Sequence, residues 1–304
     1  MTDEPSIRGA VVIGRNEGER LRISLQSIKR DFERVVYVDS DSNDGSVELA
    51  RSFDVPVVEL DRRQPLTAAR ARNAGAAELL RLFPSTDFIQ FIDGDCEIES
   101  SWLGTGLSHL RSHSDVAAVC GRRRERYPRA SLFNRLCDLE WDTPIGDVQS
   151  CGGDVLMRTT AFQQVGGFKP TLIAGEEPDL CFRLRQAGWR IVRLDAAMTI
   201  HDAAIFHLRQ WWQRAKRSGY ADMEANACRG RSEPHLRRRV MSNFVWSLPP
   251  AWPLWPVLWL RCYTRRGALY ATHIVAGKLP HAIGQFEYWR RSRRSGAPTL
   301  IEYK

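Results

Sequence analysis

At 304 residues, with 43% apolar and 26% charged residues, the chain has length for one large or two smaller domains and the make-up of an ordinary globular protein. Its seven cysteines, at 96, 120, 137, 151, 181, 228 and 262, form no Cys-x-x-Cys pair and are odd in number, which argues for a reducing compartment and against a zinc site or disulfide framework. Residues 1–202 hold 26 Lys+Arg against 31 Asp+Glu and residues 203–304 hold 18 against 5, so the whole basic excess lies in the last third; no recognition helix, zinc finger or aromatic-rich RNA motif accompanies it, which disfavours nucleic acid as a partner.

The N-terminus carries no basic region followed by an apolar stretch, so no signal peptide is expected. The run 10–13 predicts a first strand, ending in Gly14-Arg15-Asn16-Glu17, and Leu21, Leu25 and Ile28 give 19–28 helical spacing. A second strand over 35–38 ends in Asp39-Ser40-Asp41-Ser42-Asn43-Asp44-Gly45, and a helix follows to about residue 51. Residues 55–60 predict a third strand, and the Ala- and Leu-rich stretch 67–82 a helix. The run 88–92 is apolar on both faces and predicts a buried parallel strand ending in Asp93-Gly94-Asp95. This alternation predicts a mostly parallel sheet with helices on both faces.

Further on, 116–120 predicts a strand followed by the basic run 122–126, and 155–157 a short strand beside Gly152-Gly153. Residues 176–186 predict a helix, with Pro178 in its first turn and Gly188 at its stop, and 191–194 a further strand. Residues 207–230 read as a basic helix containing Trp211 and Trp212. Residues 244–260 hold no charge across 17 positions but contain four prolines and four tryptophans; Arg237-Arg238-Arg239 precede them and Arg261, Arg265 and Arg266 follow. A spanning helix needs about 20 apolar residues, and this run is shorter and too proline-rich for a regular helix. Interfacial tryptophan and flanking arginine make it a membrane-surface segment; the competing reading is a cytosolic packing element.

Three strands thus end in polar signatures on one edge of a parallel sheet, where open α/β folds bind ligands. In Asp93-Gly94-Asp95 the two carboxylates lean to the same side of an extended chain, and Gly94 lets a ligand approach the backbone. Paired hard oxygens suit Mg²⁺ or Mn²⁺ and, through the metal, a diphosphate. Plain turn and cap chemistry explains Asp44 well, but Arg15 and Asp39 less readily. Of Arg70 and Arg72, in an Ala-rich helix, one is expected to face the site and the other to be solvated. In Glu176-Glu177-Pro178-Asp179 three carboxylates crowd a helix start. The helix dipole accounts for at least one, and another is a candidate general base for a sugar hydroxyl. His201, downstream of that acidic helix, is a candidate metal ligand.

A resemblance rests on motifs in a fixed order: Val-Ile-Gly-Arg-Asn-Glu from residue 12, Val-Asp-Ser-Asp-Ser-Asn-Asp-Gly-Ser from 38, Ala-Arg-Asn-Ala-Gly from 71, and Ile-Asp-Gly-Asp from 92. Gly-Gly-Asp-Val-Leu-Met-Arg from 152, Val-Gly-Gly-Phe from 165 and Gly-Glu-Glu-Pro-Asp-Leu-Cys-Phe-Arg-Leu from 175 complete it. Over about residues 9–202 the chain resembles the family 2 glycosyltransferases. The resemblance implies an α/β GT-A fold over 1–205, with a nucleotide-binding half at about 9–115 and an acceptor half at 116–205, then a helical basic region over 206–304. It also implies a nucleoside-diphosphate sugar donor, Mg²⁺ or Mn²⁺, inversion at the anomeric carbon, and a glycan or lipid-linked acceptor in envelope or exopolysaccharide synthesis. With the basic last third, it suggests a peripheral place on an anionic membrane surface, at the cytoplasmic face of the inner membrane.

By position the resemblance sets Arg15 and Glu17 against the nucleotide, Asp39 against its base and Arg72 along its pocket. It sets Asp93 at the ribose or metal, Asp95 at the metal and Glu177 as the base; His201 is expected beside Asp95 at the metal, and Gly153, Asp154, Glu176 and Asp179 on the acceptor side. The chain departs from the family where Glu176-Glu177 stands for the usual Glu-Asp, leaving Glu176 or Asp179 able to share the role of base. It departs again where Gly14-Arg15 stands for a Pro-containing segment. A sugar-1-phosphate nucleotidyltransferase would need a Gly-rich loop with Arg and Lys after the first strand, and NAD binding a Gly-x-Gly-x-x-Gly; neither is present. A catalytically silent sugar-binding or membrane scaffold module is the reading from another class, and metal-dependent nucleotide binding discriminates it.

Overall fold

Runs of Val, Ile and Phe that are apolar on both faces are satisfied only inside a sheet covered on both sides. The computed structural model describes residues 7–293. Among them, β1 (Arg8–Gly14), β2 (Arg34–Asp39), β3 (Val57–Glu59), β4 (Phe88–Asp93), β5 (Cys96–Ile98), β6 (Val116–Glu125), β7 (Gly146–Asp147), β8 (Val155–Arg158) and β9 (Arg190–His201) form one sheet. The strand order is β3-β2-β1-β4-β8-β6-β9-β5, with β7 against β9. Strands β1 to β4 pair in parallel, as do β6 and β9; β8 runs antiparallel between β4 and β6. The short β5 and β7 run antiparallel to β9.

Seven helices accompany these strands in the chain: α1 (Glu19–Asp31), α2 (Ser46–Ser52), α3 (Ala68–Leu82), α4 (Trp102–Ser112), α5 (Leu132–Trp141), α6 (Thr159–Gln164) and α7 (Glu176–Gln186). One buried cluster joins Leu21, Leu25 and Ile28 of α1 and Trp102 and Leu110 of α4 to the sheet. A second joins Ala71 and Leu79 of α3 and Leu180 and Leu184 of α7 to it. Helices therefore cover both faces, as the sequence predicts, and the fold is α/β.

Register places the site. Gly14 lies opposite Asp39, and Ile13 opposite Asp93, so β1, β2 and β4 finish level on one edge. The structure differs from expectation at 122–126. The basic run continues β6 instead of following it, because Arg122 to Glu125 pair with β9 out to His201. Carboxylates meet the arginines there: Arg124 of the strand with Glu99 at 2.6 Å, and Arg126 just beyond it with Glu97 at 2.7 Å. The expected strand 191–194 accordingly runs on to His201.

The described chain divides into two compact units, one built from residues up to Arg126 with Trp141–Leu172 and Glu176–Ala203, the other from Tyr127–Glu140, Ile173–Gly175 and the residues from Ala204 on. The second unit is helical: α8 (Leu208–Arg229), α9 (Pro234–Ser247), a 3₁₀ turn over Pro249–Leu254 and α10 (Trp255–Ser292). Inside it the Glu140 carboxylate accepts from Arg214 at 2.7 Å and lies 2.7 Å from His273, whose other ring nitrogen meets the Trp211 indole N–H at 2.9 Å. Proline does break 244–260, at Leu248, and α10 loses helical geometry at Arg266 and Gly267. No helix among the described residues is long and apolar enough to cross a membrane.

Gly75 lets α3 lie close on the sheet: a Cβ there would strike Val11 and stand 2.8 Å from Val38. Both neighbours are stiff β-branched side chains in strands. Alanine gains about 1 kcal/mol of helix propensity over glycine, but overpacking a core costs about 1–3 kcal/mol. Gly75→Ala is expected to be net destabilising, read as a lower urea midpoint with an unchanged slope.

Candidate active site

The three strand ends are tied together before any ligand is considered. The Asp39 carboxylate is buried at the tip of β2 and accepts from the Ser42 N–H at 2.8 Å and the Tyr37 hydroxyl at 3.0 Å. Burial and the Asp39 charge push the Tyr37 phenol far above its ordinary range, so it stays a donor. The loop after β1 is pinned to the loop after β2, with the Asn43 N–H donating to Asn16 Oδ1 at 2.8 Å and the Asn16 N–H to Ser42 Oγ at 2.9 Å. Arg15 is exposed beside this pin. Glu17 pairs with Arg20 at 2.8 Å, and its stem lies where a side chain on Gly94 would go.

Between α3 and β4 sits a buried guanidinium. Arg72 donates to Asp93 Oδ1 at 2.7 Å and to Glu176 Oε1 at 2.7 Å, so one fork joins the end of β4 to the start of α7. Arg72 rather than Arg70 faces the site; Arg70 turns to the carbonyl groups of Asp61, Gln64 and Pro65. Burial disfavours the Arg72 cation, but Asp93 and Glu176 outweigh it and hold the guanidinium charged. Gly153 fills the notch above: a Cβ there would stand 2.6 Å from Arg72 Nη2 and 3.0 Å from Asp93 Oδ2.

Asp154 lies beneath, fully buried. One of its oxygens accepts the Asp93 N–H at 3.1 Å; the other takes the Thr199 hydroxyl at 2.7 Å and pairs with Arg123 at 2.8 Å. It is a strut between β8, β4, β6 and β9, with no oxygen left for the surface. Arg123 was invisible in the sequence as a site residue. It lies in a run of arginines, and only its place in β6, over the Trp141 ring at 5.5 Å, brings it to Asp154.

Asp95 and His201 come together at the far side, both buried, with Asp95 Oδ1 3.2 Å from His201 Nε2. The Trp141 edge packs on the imidazole at 4.7 Å between centroids. Cys96 joins both this pair and a second group of Asp93 and Asp154. Asp93 itself is turned to Arg72. A six-coordinate Mg²⁺ or Mn²⁺ holds adjacent ligands about 3 Å apart, since its bonds are about 2.1 Å. The separation of Asp95 Oδ1 and His201 Nε2 matches that spacing. Four carboxylates (Asp93, Asp95, Asp154 and Glu176) face two guanidinium groups (Arg72 and Arg123), a balance that welcomes a cation. These residues fit a hard divalent ion.

Glu177 is buried at the first turn of α7 and takes no part in the Arg72 fork. Its Oε1 accepts from the Cys151 N–H at 2.6 Å, with Cys151 Sγ at 3.1 Å and Cys181 Sγ at 2.9 Å. Burial pushes its pKa up. Asp179 pairs with Arg183 of its own helix at 2.8 Å. The two cysteines carry no sequence signature: they lie 30 positions apart, and only the helix repeat of four sets Cys181 above Glu177.

The glycosyl transferase family 2 domain matches residues 10–150 of this chain. Over 229 residues the chain is 30% identical to the pre-mycofactocin glycosyltransferase of Mycobacterium tuberculosis, covering 69% of this chain and 46% of that protein. Over 245 residues it is 28% identical to the succinoglycan biosynthesis protein ExoA of Rhizobium meliloti, covering 77% and 69%. The chain belongs to the family 2 glycosyltransferases. It spans less than half the length of the mycobacterial relative. The mannosyltransferase PcManGT from Pyrobaculum calidifontis, solved with GDP-Man and Mn²⁺, superposes with a TM-score of 0.64 over 93% of this chain and 87% of that one, at 17% identity. Glucosyl-3-phosphoglycerate synthase from M. tuberculosis superposes with a TM-score of 0.53 over 73% and 80%, at 15% identity. These likenesses establish the GT-A fold of this family 2 member.

Removing the strut should cost more than any surface change. Asp154→Ala takes from Arg123 its 2.8 Å partner and leaves it Asp93 at 3.7 Å, so the loss should approach the cost of breaking a buried pair, about 3–5 kcal/mol. Urea unfolding of the variant is expected to show that loss, with Thr199→Val, which removes a single hydrogen bond, well short of it.

Proposed function

We propose that this protein transfers a sugar, with inversion, from a nucleoside-diphosphate sugar to a hydroxyl of a glycan or lipid-linked acceptor in envelope or exopolysaccharide synthesis. The observation that carries the reading is the Arg72 fork. It couples the acid at the end of β4 to the acidic start of α7, so the donor and acceptor halves form one site. Asp39, Arg15 and Glu17 line the edge that takes the nucleoside, and Arg72 and Asp93 the part nearest the diphosphate. Asp95 and His201 would hold Mg²⁺ or Mn²⁺, as the Mn²⁺ and GDP-Man of the Pyrobaculum structure suggest by analogy. Such an ion supplies Lewis-acid stabilisation of the departing diphosphate.

Glu177 takes the proton of the attacking hydroxyl, while Glu176 and Gly153 border the acceptor and Asp154 holds the floor. A base works ionised, and burial raises the Glu177 pKa. Activity should therefore fall as pH drops through that raised value, above the ordinary carboxylate range. The test is Mn²⁺-dependent release of nucleoside diphosphate from a panel containing GDP-mannose and UDP-glucose. Glu177→Gln is expected to lose about 10²–10⁴ in kcat with donor KM little changed, and Asp95→Ala to lose Mn²⁺ dependence. Full activity in either variant removes that residue from the scheme.

We also propose that the second unit rests on an anionic membrane at the cytoplasmic face. Phe244, Leu248, Trp252, Leu254, Val257 and Leu260 are all exposed at the proline break, and residues 234–286 contain no Asp or Glu. Exposed apolar residues flanked in the sequence by Arg237, Arg238, Arg239, Arg261 and Arg265 suit an interface helix rather than bulk water. The protein should sediment with phosphatidylglycerol vesicles but not with phosphatidylcholine ones, and high salt should release it. Equal recovery in the supernatant with both lipids refutes this placement.

A further inference from the structure

Glu177 presents a problem of charge. A carboxylate that is 6% exposed needs compensation, yet among the described residues it forms no ion pair, since the nearest fork, on Arg72, is committed to Asp93 and Glu176. The groups that do face it are two thiols, Cys151 in the loop before β8 and Cys181 one turn along α7, while Cys120 of β6 is near enough to feel its charge. Cys151 and Cys181 aim at the same oxygen and lie 3.5 Å from each other. The Cys151 and Gly152 N–H groups complete the ring of donors.

We propose that Cys151 and Cys181 are positioning residues whose S–H groups donate to Glu177 Oε1, fixing the carboxylate's direction and favouring its ionised form. The inference rests on the reading of Glu177 as the base. Burial pushes the Cys181 thiol up to about 11, so at neutral pH it keeps the proton it donates. The same three side chains lie close enough to hold a metal ion. Against that use, Oε1 accepts a backbone N–H at 2.6 Å, and an oxygen surrounded by N–H donors is turned away from cations. Two weak donors suit a base better than an arginine would. They steady the anion without the strong pairing that would drive its pKa down and blunt its basicity.

Carbon-13 NMR of the whole chain labelled at the glutamate side-chain carboxyl reads the effect directly, with the Glu177 signal assigned by its absence in Glu177→Gln. In Cys181→Ala the midpoint of that signal should rise by about one pH unit, the worth of one hydrogen bond to a charged group. Cys181→Ser, which restores a stronger donor, should bring it back to the wild-type value or below. A Cys181→Ala midpoint equal to wild type in a natively folded variant overturns the proposal. If that variant does not fold, an upward shift in Cys181→Ser overturns it instead. The acid limb of the transfer profile separates the two readings. If the NMR midpoint moves and the limb does not, the thiols act on Glu177 but Glu177 is not the base.

Discussion

A buried arginine holding two acids from distant parts of the chain is the constraint on which this site depends. Arg72 comes from α3, Asp93 from the end of β4 and Glu176 from the start of α7, and their 2.7 Å contacts leave little freedom in the placement of any of them. A lone guanidinium in that position would be prohibitively desolvated; with two carboxylates it is a rigid bidentate clamp. The clamp explains why α3 must lie tight on the sheet, and hence the glycine in its third turn against Val11 and Val38. It also explains why no side chain is tolerated above it at position 153.

Much of this architecture was legible in the sequence. Parallel strands buried on both faces read as continuous apolar runs, and β1, β2 and β4 announce themselves in that way. Their polar ends then fall on one edge because parallel register leaves no alternative. The acidic helix α7 spans Glu176–Gln186, the residues its proline and glycine signals mark. What was not legible depends on pairing between distant segments. The arginines of 122–126 look like a surface run until β9 is known to lie alongside them. Asp154 looks like an acceptor-side acid until β8 is seen wedged between β4 and β6, which buries it. Cys151 and Cys181 look like scattered small hydrophobes until both meet one carboxylate.

The second unit obeys different physics. One of its polar centres is Glu140, where burial alone would raise the pKa but Arg214 and His273 together hold it at about 2. A depressed carboxylate contributes stability above its unfolded pKa and surrenders it as pH falls toward the folded value, here between about 4.5 and 2. Apart from such internal ties, the region around the 3₁₀ turn turns tryptophan, leucine and valine outward. Sequence alone marks that stretch as apolar and broken by proline. Whether such residues pack inward or face outward is a tertiary decision, and here the break at Leu248 prevents a continuous helix that could pair its apolar side with a neighbour.

Four consecutive residues connect the two kinds of chemistry the site requires. The Cys151 N–H reaches Glu177, the Gly152 N–H joins it, Gly153 leaves room for the Arg72–Asp93 pair, and Asp154 locks Arg123 and the Asp93 N–H beneath. Glu177 and the Arg72–Asp93 pair are thus set by one short backbone segment rather than by separate loops. A shift of about 1 Å in that segment would misplace Glu177 and Asp93 at once, and on the proposed reading near-attack geometry tolerates little of either. This accounts for the burial of Asp154, which has no exposed surface: the chain secures the partly exposed loop from below so that the carboxylates above it keep their spacing.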